Sequence, residues 1–241
     1  MAATEQQQMT CDIAIIGGGV AGLWLLNRLV RKGYNAILFE KNALGSDQTV
    51  ASQGMIHGGM KYTLNGALTG ASEAIAEMPT HWQQCMAGHG DVDLKGAAKL
   101  SDHFYMWSNT SVLSKMTTFL ASKAARGRIN KVPKDDLPPI FQNNQFKGSV
   151  YKLLDIVLDV PSVVKVLANN YLGRIFKINW EKTQWRKDAN NKASLVFFYN
   201  NQEYSLNANQ FVLTAGEGNE SILNEIGEDS PRMQRRPLHM L

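Results

Sequence analysis

The chain begins with a short apolar segment that ends in glycine. Ile13 to Ile16 form a continuous apolar run, and residues 17–19 are all glycine. Such a run predicts a strand buried on both faces, as in a parallel sheet, beginning at Asp12. Apolar residues at positions 20, 23, 25, 26, 29 and 30 predict a buried helix over 20–32, which Gly33 ends. A second strand is expected over 35–40, which completes a βαβ unit.

Further along, the pattern changes between helices and short strands. We expect a loop over 42–66, a helix over 67–86 broken at Pro79, a strand over 100–108, a helix over 111–126 and a loop over 127–148. Residues 150–160 predict one bent strand or two short ones, and Pro161 starts a helix that runs to about residue 171. Strands are expected over 175–180, 195–199, 203–206 and 210–214, with a hairpin turn at Asn200-Asn201.

This order of elements predicts an α/β fold: a Rossmann-like nucleotide-binding domain with an inserted, strand-rich α+β substrate domain. The nucleotide-binding domain is expected over 10–85 and 150–226. Part of 175–210 could instead belong to the strand-rich insertion. The substrate or cap domain is expected over 86–149 and 227–241.

Composition excludes several classes of protein. Of 241 residues, 44% are hydrophobic and 19% are charged, which is ordinary for a globular chain. The net charge is +4, and no basic patch interleaved with aromatic residues favours nucleic-acid binding. Two cysteines, Cys11 and Cys85, give no disulfide framework, and no histidine spacing suggests a metal. The polar start and the absence of a long apolar stretch predict a cytoplasmic location, with peripheral membrane contact left open.

Residues 17–22, GGGVAG, match the dinucleotide fingerprint G-x-G-x-x-G. Gly17 would permit the tight turn, Gly19 would let the backbone approach a pyrophosphate, and Gly22 would let helix and strand pack closely. The pyrophosphate would lie on the helix N-terminus, near Val20 and Ala21. Glu40, about 20 residues on, would accept hydrogen bonds from a ribose. NAD and FAD share this motif, and a glycine-rich turn without a ligand is the remaining alternative.

Residues 47–63, DQTVASQGMIHGGMKYT, favour flavin, because they resemble the segment after the second strand in the D-amino-acid-oxidase-like superfamily of FAD enzymes. The pattern His57-Gly58-Gly59 with Tyr62 is similar to the L-2-hydroxyglutarate dehydrogenase and glycerol-3-phosphate dehydrogenase branches. The resemblance also covers residues 12–41 and about 150–220, including the strand that ends in Thr214-Ala215-Gly216. The alternative for 47–63 is a flexible surface loop.

The resemblance implies a set of FAD-binding residues. Glu40 and Lys41 would hold the adenosine ribose, and Trp180 or a neighbour would contact the adenine. The remaining cofactor residues would lie along the pyrophosphate, the ribityl chain and the isoalloxazine ring: Gln48, Thr49, Ser52, Gln53, Gly54, His57, Gly58, Gly59, Ala215 and Gly216.

His57 is the candidate catalytic residue. It could act as a base, since a neutral imidazole suits proton removal at pH 7. It could also position the flavin, attach it covalently, or have no role in the site. Lys61, Tyr62 and Tyr105 are candidate substrate contacts, with a solvated lysine and core or half-buried tyrosines as the alternatives.

The resemblance implies an FAD-dependent oxidoreductase that oxidises a C–H bond next to a hydroxyl or amine. The substrate would be a small hydroxy acid, amine or phosphate ester, and the electron acceptor would be oxygen, a quinone or another carrier. Chains of the resembling family continue well beyond Leu241, so the resemblance implies an N-terminal portion in which the C-terminal part of the cap domain is missing. Such a portion would be a truncated chain, or one piece of a split enzyme whose fold a partner chain completes. The alternatives are a truncated or split flavin-binding module without catalysis of its own, and an NAD-dependent dehydrogenase.

Overall fold

The computed structural model describes residues 6–58, 75–108, 129–190 and 192–235. They form two compact units. The sheet unit comprises residues 1–52, 91–93 and 164–241, and the inserted unit comprises 53–90 and 94–163. Residues 53–85 and 150–163 thus group with the insertion, whereas the sequence placed them in the nucleotide-binding domain. The boundary differs because strands at 55–56 and 156–158 pair with each other and not with the large sheet.

The sheet unit is built on six strands: β1 (Gln7–Ile16), β2 (Ala36–Glu40), β9 (Ile175–Lys177), β10 (Gln184–Lys187), β11 (Ala193–Tyr199) and β12 (Gln202–Leu213). Their order is β10-β11-β12-β1-β2-β9. The four strands β12, β1, β2 and β9 are parallel, whereas β10 and β11 add antiparallel strands at one edge. Among the described residues, three α-helices accompany them, namely α1 (Val20–Arg31), the end of α3 (Val160–Asn169) and α4 (Asn219–Glu225).

The core of this unit lies on both faces of the sheet. Ile15 and Leu38 are fully buried, as are Leu23 and Leu26 of α1, which packs on β1 and β2. The opposite face holds an aromatic cluster in which Phe39 stacks on Phe176 and meets Phe197 edge-on. Burial on both faces explains the continuous apolar runs of β1 and β2.

The inserted unit contains two small antiparallel sheets. One has the order β3-β8-β4, made of β3 (Met55–Ile56), β8 (Ile156–Leu158) and β4 (Lys99–Ser101). The other has the order β5-β7-β6, made of β5 (Phe104–Ser108), β7 (Ser149–Leu153) and β6 (Ile129–Lys131). The helix α2 (Met78–Met86) and the start of α3 complete the described part of the unit.

Several predicted elements are confirmed by the structure. Helix α1 begins at Val20 and ends at Arg31, and β2 ends at Glu40 as expected. Asn200 and Asn201 have φ values of 50° and 63°, which is the geometry of a two-residue type I′ hairpin turn between β11 and β12. Residues 150–160 form two short strands, the second of the two alternatives.

Other predicted boundaries are wrong. β1 begins at Gln7 and not at Asp12, because its polar first half pairs with β12 from Gln7 to Cys11. The two strands predicted over 203–206 and 210–214 are one strand, since the same pairing continues through Asn207. Residues 100–108 divide between β4 and β5, which belong to different sheets. The interruption predicted at Pro79 is confirmed: residues 75–76 are helical, residue 77 is a turn, and α2 begins at Met78 with Pro79 in its first turn, where a missing N–H costs nothing. Residues 67–74 of the predicted helix lie outside the described residues. The helix predicted over 111–126 lies outside the described residues.

No helix among the described ranges is long and apolar enough to cross a membrane.

Candidate functional site

The carboxyl ends of β1, β2 and β12 meet at one edge of the large sheet, and the glycine turn lies there. Gly17 has a φ of 114°, a conformation that other residues rarely adopt. A Cβ atom on Gly17 would lie 2.6 Å from backbone atoms of Thr214 and Ala215. A Cβ atom on Gly22 would overlap the carbonyl oxygen of Gly17. The turn therefore requires glycine at both positions on packing grounds alone.

Gly19 is different, because its backbone conformation does not demand glycine and only one side-chain atom lies close to the position of a Cβ atom. Its φ of −73° is open to any residue, and a Cβ atom there would meet only the Thr49 hydroxyl oxygen, at 3.1 Å. Gly19 is the N-cap of α1 and supplies no side-chain cap; instead the Val20 N–H donates to that same oxygen at 3.0 Å. The first turn of a helix leaves further N–H groups without intrahelical partners. The N–H groups of Ala21 and Gly22 are two of these, and no acceptor for them is found among the described residues.

Glu40, at the end of β2, ties the glycine turn to the second strand. One carboxylate oxygen accepts the Gly18 N–H at 2.5 Å, and the other accepts the N–H groups of Lys41 and Asn42 at 2.8 Å each. The Glu40 carbonyl oxygen accepts the N–H of Ile178. Trp180, two residues after Ile178, packs against the aromatic core. A carboxylate has about four acceptor positions, so Glu40 keeps capacity for a further donor.

The segment after β2 folds back onto the glycine turn. The Gly45 N–H donates to the carbonyl oxygen of Gly18 at 2.9 Å, and Thr49 caps α1 as described. The amide oxygen of Gln48 lies 3.7 Å from the position of a Cβ atom on Gly216, whose φ is 57°. The structure thus brings together two segments that the sequence assigned to the cofactor site. Ser52 is exposed and donates to the carbonyl of Thr49 at 2.8 Å.

Thr214 is a residue that the sequence analysis did not single out. Its hydroxyl lies 2.8 Å from the Gly17 carbonyl oxygen and 3.1 Å from that of Ile16, and so donates to the glycine turn. The following N–H, of Ala215, donates to Asn219 at 2.8 Å and so connects the strand end to α4. The Thr-Ala-Gly ending of the last strand was the available signal, but only the parallel pairing of β1 and β12 shows what the threonine contacts.

In the inserted unit, His57 forms a pair that the sequence did not predict. Its Nδ1 lies 3.0 Å from one carboxylate oxygen of Asp155, and the other oxygen accepts the Gly58 N–H at 2.9 Å. Asp155 follows β7 and precedes β8, which pairs with β3 next to His57. Nearby, Gly54 has a φ of 66°, and a Cβ atom there would overlap the carbonyl of Leu158. Gln53 is exposed.

Of the candidate substrate contacts, Tyr105 is half-buried in β5 opposite Lys152, with its ring 4.6 Å from that of His103. Burial lowers the pKa of His103, the charge of Lys152 lowers it further, and Asp102 opposes both. Gly59, Lys61 and Tyr62 lie outside the described residues.

Comparison with known proteins identifies the family. The family described as FAD dependent oxidoreductase matches residues 12–239. FAD, the cofactor predicted from the sequence, is the cofactor of this family, and the match does not favour the NAD-dependent alternative or a module without catalysis.

A protein of Pseudomonas aeruginosa named "Probable FAD-dependent oxidoreductase PA4991" is 45% identical over 235 residues, which are 98% of this chain and 59% of the relative. The crystal structure of that oxidoreductase matches with a TM-score of 0.76 and 38% identity, covering 96% of this chain and 55% of the solved one. The chain therefore spans less than two thirds of the length of these relatives.

Glycine oxidase from Geobacillus kaustophilus has a TM-score of 0.63 at 17% identity, over 90% of this chain and 58% of its own. An FAD-bound L-α-glycerophosphate oxidase from Mycoplasma pneumoniae has a TM-score of 0.61, also at 17% identity, and the match covers 90% of this chain and 57% of the oxidase. At this identity the likeness shows the fold alone, and it confirms the predicted α/β Rossmann-like class. Together with the match over 12–239, these findings show that the chain belongs to the family of FAD-dependent oxidoreductases.

Proposed function

We propose that the glycine turn and the N-terminus of α1 hold the pyrophosphate of FAD. The observation that carries this proposal is the geometry around Gly19. Its conformation does not require glycine, yet N–H groups that lack acceptors among the described residues lie directly beside it. A helix N-terminus with unpaired N–H groups favours an anion, and a missing side chain lets the anion approach. Gly17, Val20, Ala21 and Gly22 complete this cradle.

We assign the other predicted cofactor residues to the remaining parts of FAD. Glu40 retains acceptor capacity for the ribose hydroxyls, with Lys41 beside it. Trp180 follows the strand next to Glu40, as an adenine contact would. A larger set would continue along the pyrophosphate, the ribityl chain and the ring: Gln48, Thr49, Ser52, Gln53, Gly54, His57, Gly58, Gly59, Ala215 and Gly216. The closeness of Gln48 to Gly216 supports placing both segments on one side of the cofactor.

We further propose that the whole protein oxidises a C–H bond next to a hydroxyl or amine in a small hydroxy acid, amine or phosphate ester. When bound, FAD supplies a two-electron acceptor for the hydride. The protein would bind and orient the substrate, with Lys61, Tyr62 and Tyr105 as the proposed contacts. The fold relatives include oxidases named for glycine and for glycerophosphate, which span the amine and phosphate-ester classes. Oxygen, a quinone or another carrier would take the electrons.

Cofactor binding is tested with Gly19→Val. The matched control is Gly173→Val, because nothing lies within 4 Å of a Cβ atom on Gly173. We expect the wild type and Gly173→Val to show flavin absorption that moves to the supernatant after acid precipitation. We expect Gly19→Val to be colourless with an unchanged far-UV circular dichroism spectrum. Flavin retained by Gly19→Val at wild-type stoichiometry would overturn the cradle, and flavin retained in the acid pellet would show covalent attachment.

The substrate class is tested by anaerobic bleaching of the flavin absorption. Glycine, 2-hydroxyglutarate and glycerol 3-phosphate represent the amine, hydroxy-acid and phosphate-ester classes. We expect one of the three classes to bleach the flavin within seconds. Absence of bleaching by all three, in a protein that holds stoichiometric FAD, would contradict the proposed reaction while leaving the cofactor site intact.

A further inference from the structure

One carboxylate in the inserted unit holds two consecutive residues at once. Asp155 Oδ2 lies 3.0 Å from His57 Nδ1, and Asp155 Oδ1 accepts the Gly58 N–H at 2.9 Å. Asp155 is 7% exposed as a residue, whereas the His57 side chain is 42% exposed. A buried carboxylate therefore fixes one side of a ring whose other side is open.

The chemistry of the two groups decides which ring nitrogen carries the proton. An ionised carboxylate accepts hydrogen bonds and cannot donate them. Since Oδ2 of the ionised Asp155 can only accept, the bond between His57 and Asp155 requires the proton to lie on Nδ1. In a neutral imidazole the other nitrogen, Nε2, is then an acceptor with a free lone pair.

We propose that Asp155 is a positioning residue that holds His57 in the Nδ1–H tautomer, with Nε2 presented as the acceptor for the hydroxyl or amine proton of a substrate. The use of Nε2 in turnover depends on the proposed function, but the tautomer does not. In that step the O–H or N–H bond of the substrate breaks, its electron pair stays on the heteroatom, and the proton forms a new bond at Nε2. The hydride leaves separately, to the two-electron acceptor named above. The resulting imidazolium would be stabilised by the carboxylate at Nδ1.

The backbone contact strengthens this assignment. Because Asp155 also accepts the Gly58 N–H, the His57 ring is fixed through its main chain as well as through Nδ1. A Cβ atom on Gly58 would lie 3.3 Å from Asp155 Oδ1, so a side chain there would press on the same oxygen. The pairing of Met55 with Val157 and of Ile56 with Ile156 sets the approach of the two segments.

The tautomer is tested by nitrogen NMR of the protein labelled with 15N-histidine, at about pH 9, well above the ordinary histidine pKa of about 6.5. Protonated and unprotonated ring nitrogens have distinct shifts, and His57→Gln identifies the resonances of His57 among the five histidines. We expect an unprotonated Nε2 and a protonated Nδ1. A protonated Nε2 in the wild type would overturn the proposal without any variant.

Asp155→Asn is the decisive variant, because it preserves shape and reverses polarity. Its amide oxygen can still accept from Gly58, and its NH2 group then donates to Nδ1. The proton of His57 must therefore move to Nε2, which removes the acceptor. We expect the NMR signature of the opposite tautomer, unchanged flavin content and a fall in kcat of at least about tenfold with little change in KM. An unchanged tautomer would overturn the positioning role, and a reversed tautomer with unchanged kcat would overturn its use in turnover.

The matched control is Asp159→Asn. Asp159 lies in the same unit, and its carboxylate accepts the Ser162 N–H at 3.0 Å at the start of α3. Among the described residues it forms no hydrogen bond or ion pair with His57, so we expect the wild-type tautomer and wild-type turnover. If FAD fails to bind at all, the NMR arm still tests the positioning of His57, which separates this proposal from the proposed function.

Discussion

The hydroxyl of Thr214 donates to the carbonyl oxygen of Gly17 at 2.8 Å, although 197 residues separate the two in the chain. It lies 3.1 Å from the carbonyl of Ile16 as well, and Thr214 N–H donates to that same carbonyl at 2.7 Å. The residue that follows β12, the last strand of the sheet, thus holds the glycine turn that follows β1, the first strand.

We expect Thr214→Val to destabilise the protein by about 1–3 kcal/mol, because the Gly17 carbonyl loses the hydroxyl donor while the side-chain volume is kept. The Ile16 carbonyl still accepts the Thr214 N–H. Urea unfolding followed by circular dichroism gives the difference. Thr214→Ser keeps the hydroxyl and should remain closer to the wild type. Equal stability of the valine and serine variants would show that the hydrogen bond contributes nothing.

Thr49 replaces the missing side-chain cap of α1. Because its hydroxyl oxygen accepts the Val20 N–H at 3.0 Å, Thr49→Val should cost about 1 kcal/mol, the usual effect of losing an N-terminal cap. Thr49→Ser should retain most of the stability. The comparison is made on protein freed of flavin, so that cofactor binding does not enter the measured free energy of unfolding.

Glu40→Gln should weaken the glycine turn, since a carboxamide cannot accept all three N–H groups that the carboxylate accepts. We expect a loss of about 1–3 kcal/mol in the free energy of unfolding and a lower affinity for FAD, measured by flavin fluorescence titration. Asn42→Ala is the control, because it keeps the backbone N–H that Glu40 binds. Wild-type affinity in Glu40→Gln would contradict the ribose role.

Burial raises the pKa of the Cys11 thiol to about 11, and the charge of Asp12 adds to this effect. At about pH 8 only about one thiol in 1,000 is then ionised, and the thiolate is the reactive form. We expect Cys11 to resist a disulfide reagent in the native Cys85→Ser variant and to react within minutes in denaturant. Rapid reaction in the native state would show that the first half of β1 opens.

The lowered pKa of His103 predicts a dependence of stability on pH. Below the ordinary value of 6.5, the unfolded chain takes up the proton before the folded one does. The contribution of His103 is therefore fully present above 6.5 and is lost as the pH falls through the lower folded pKa. We expect His103→Gln to show a smaller drop in stability than the wild type between about pH 7 and pH 5, measured by urea unfolding at each pH.

The βαβ unit could be predicted from the sequence because its signals are local. The apolar run of β1, the helical spacing of α1 and the glycine turn each depend on a few adjacent residues. The Asn200-Asn201 turn was predictable for the same reason, since asparagine tolerates a positive φ.

The errors concern pairings between distant segments. The polar first half of β1 and the continuity of β12 through Asn207 follow from their mutual pairing, which no local pattern shows. Asp155 and Thr214 were not singled out because their partners are 98 and 197 residues away. The cofactor residues named from the resemblance stay predictions.

The position of β1 between β2 and β12 also bears on how the protein folds during synthesis. The β2 side can pair as soon as the first 40 residues have left the ribosome, whereas the β12 side must wait for residues 202–213. Until then β1 has an open, apolar strand edge, which is a site for aggregation and for chaperone binding. The high sequence separation of this pairing also predicts slow completion of the sheet. Chains released from the ribosome that end before residue 202 and after residue 213 should therefore differ sharply in protease resistance.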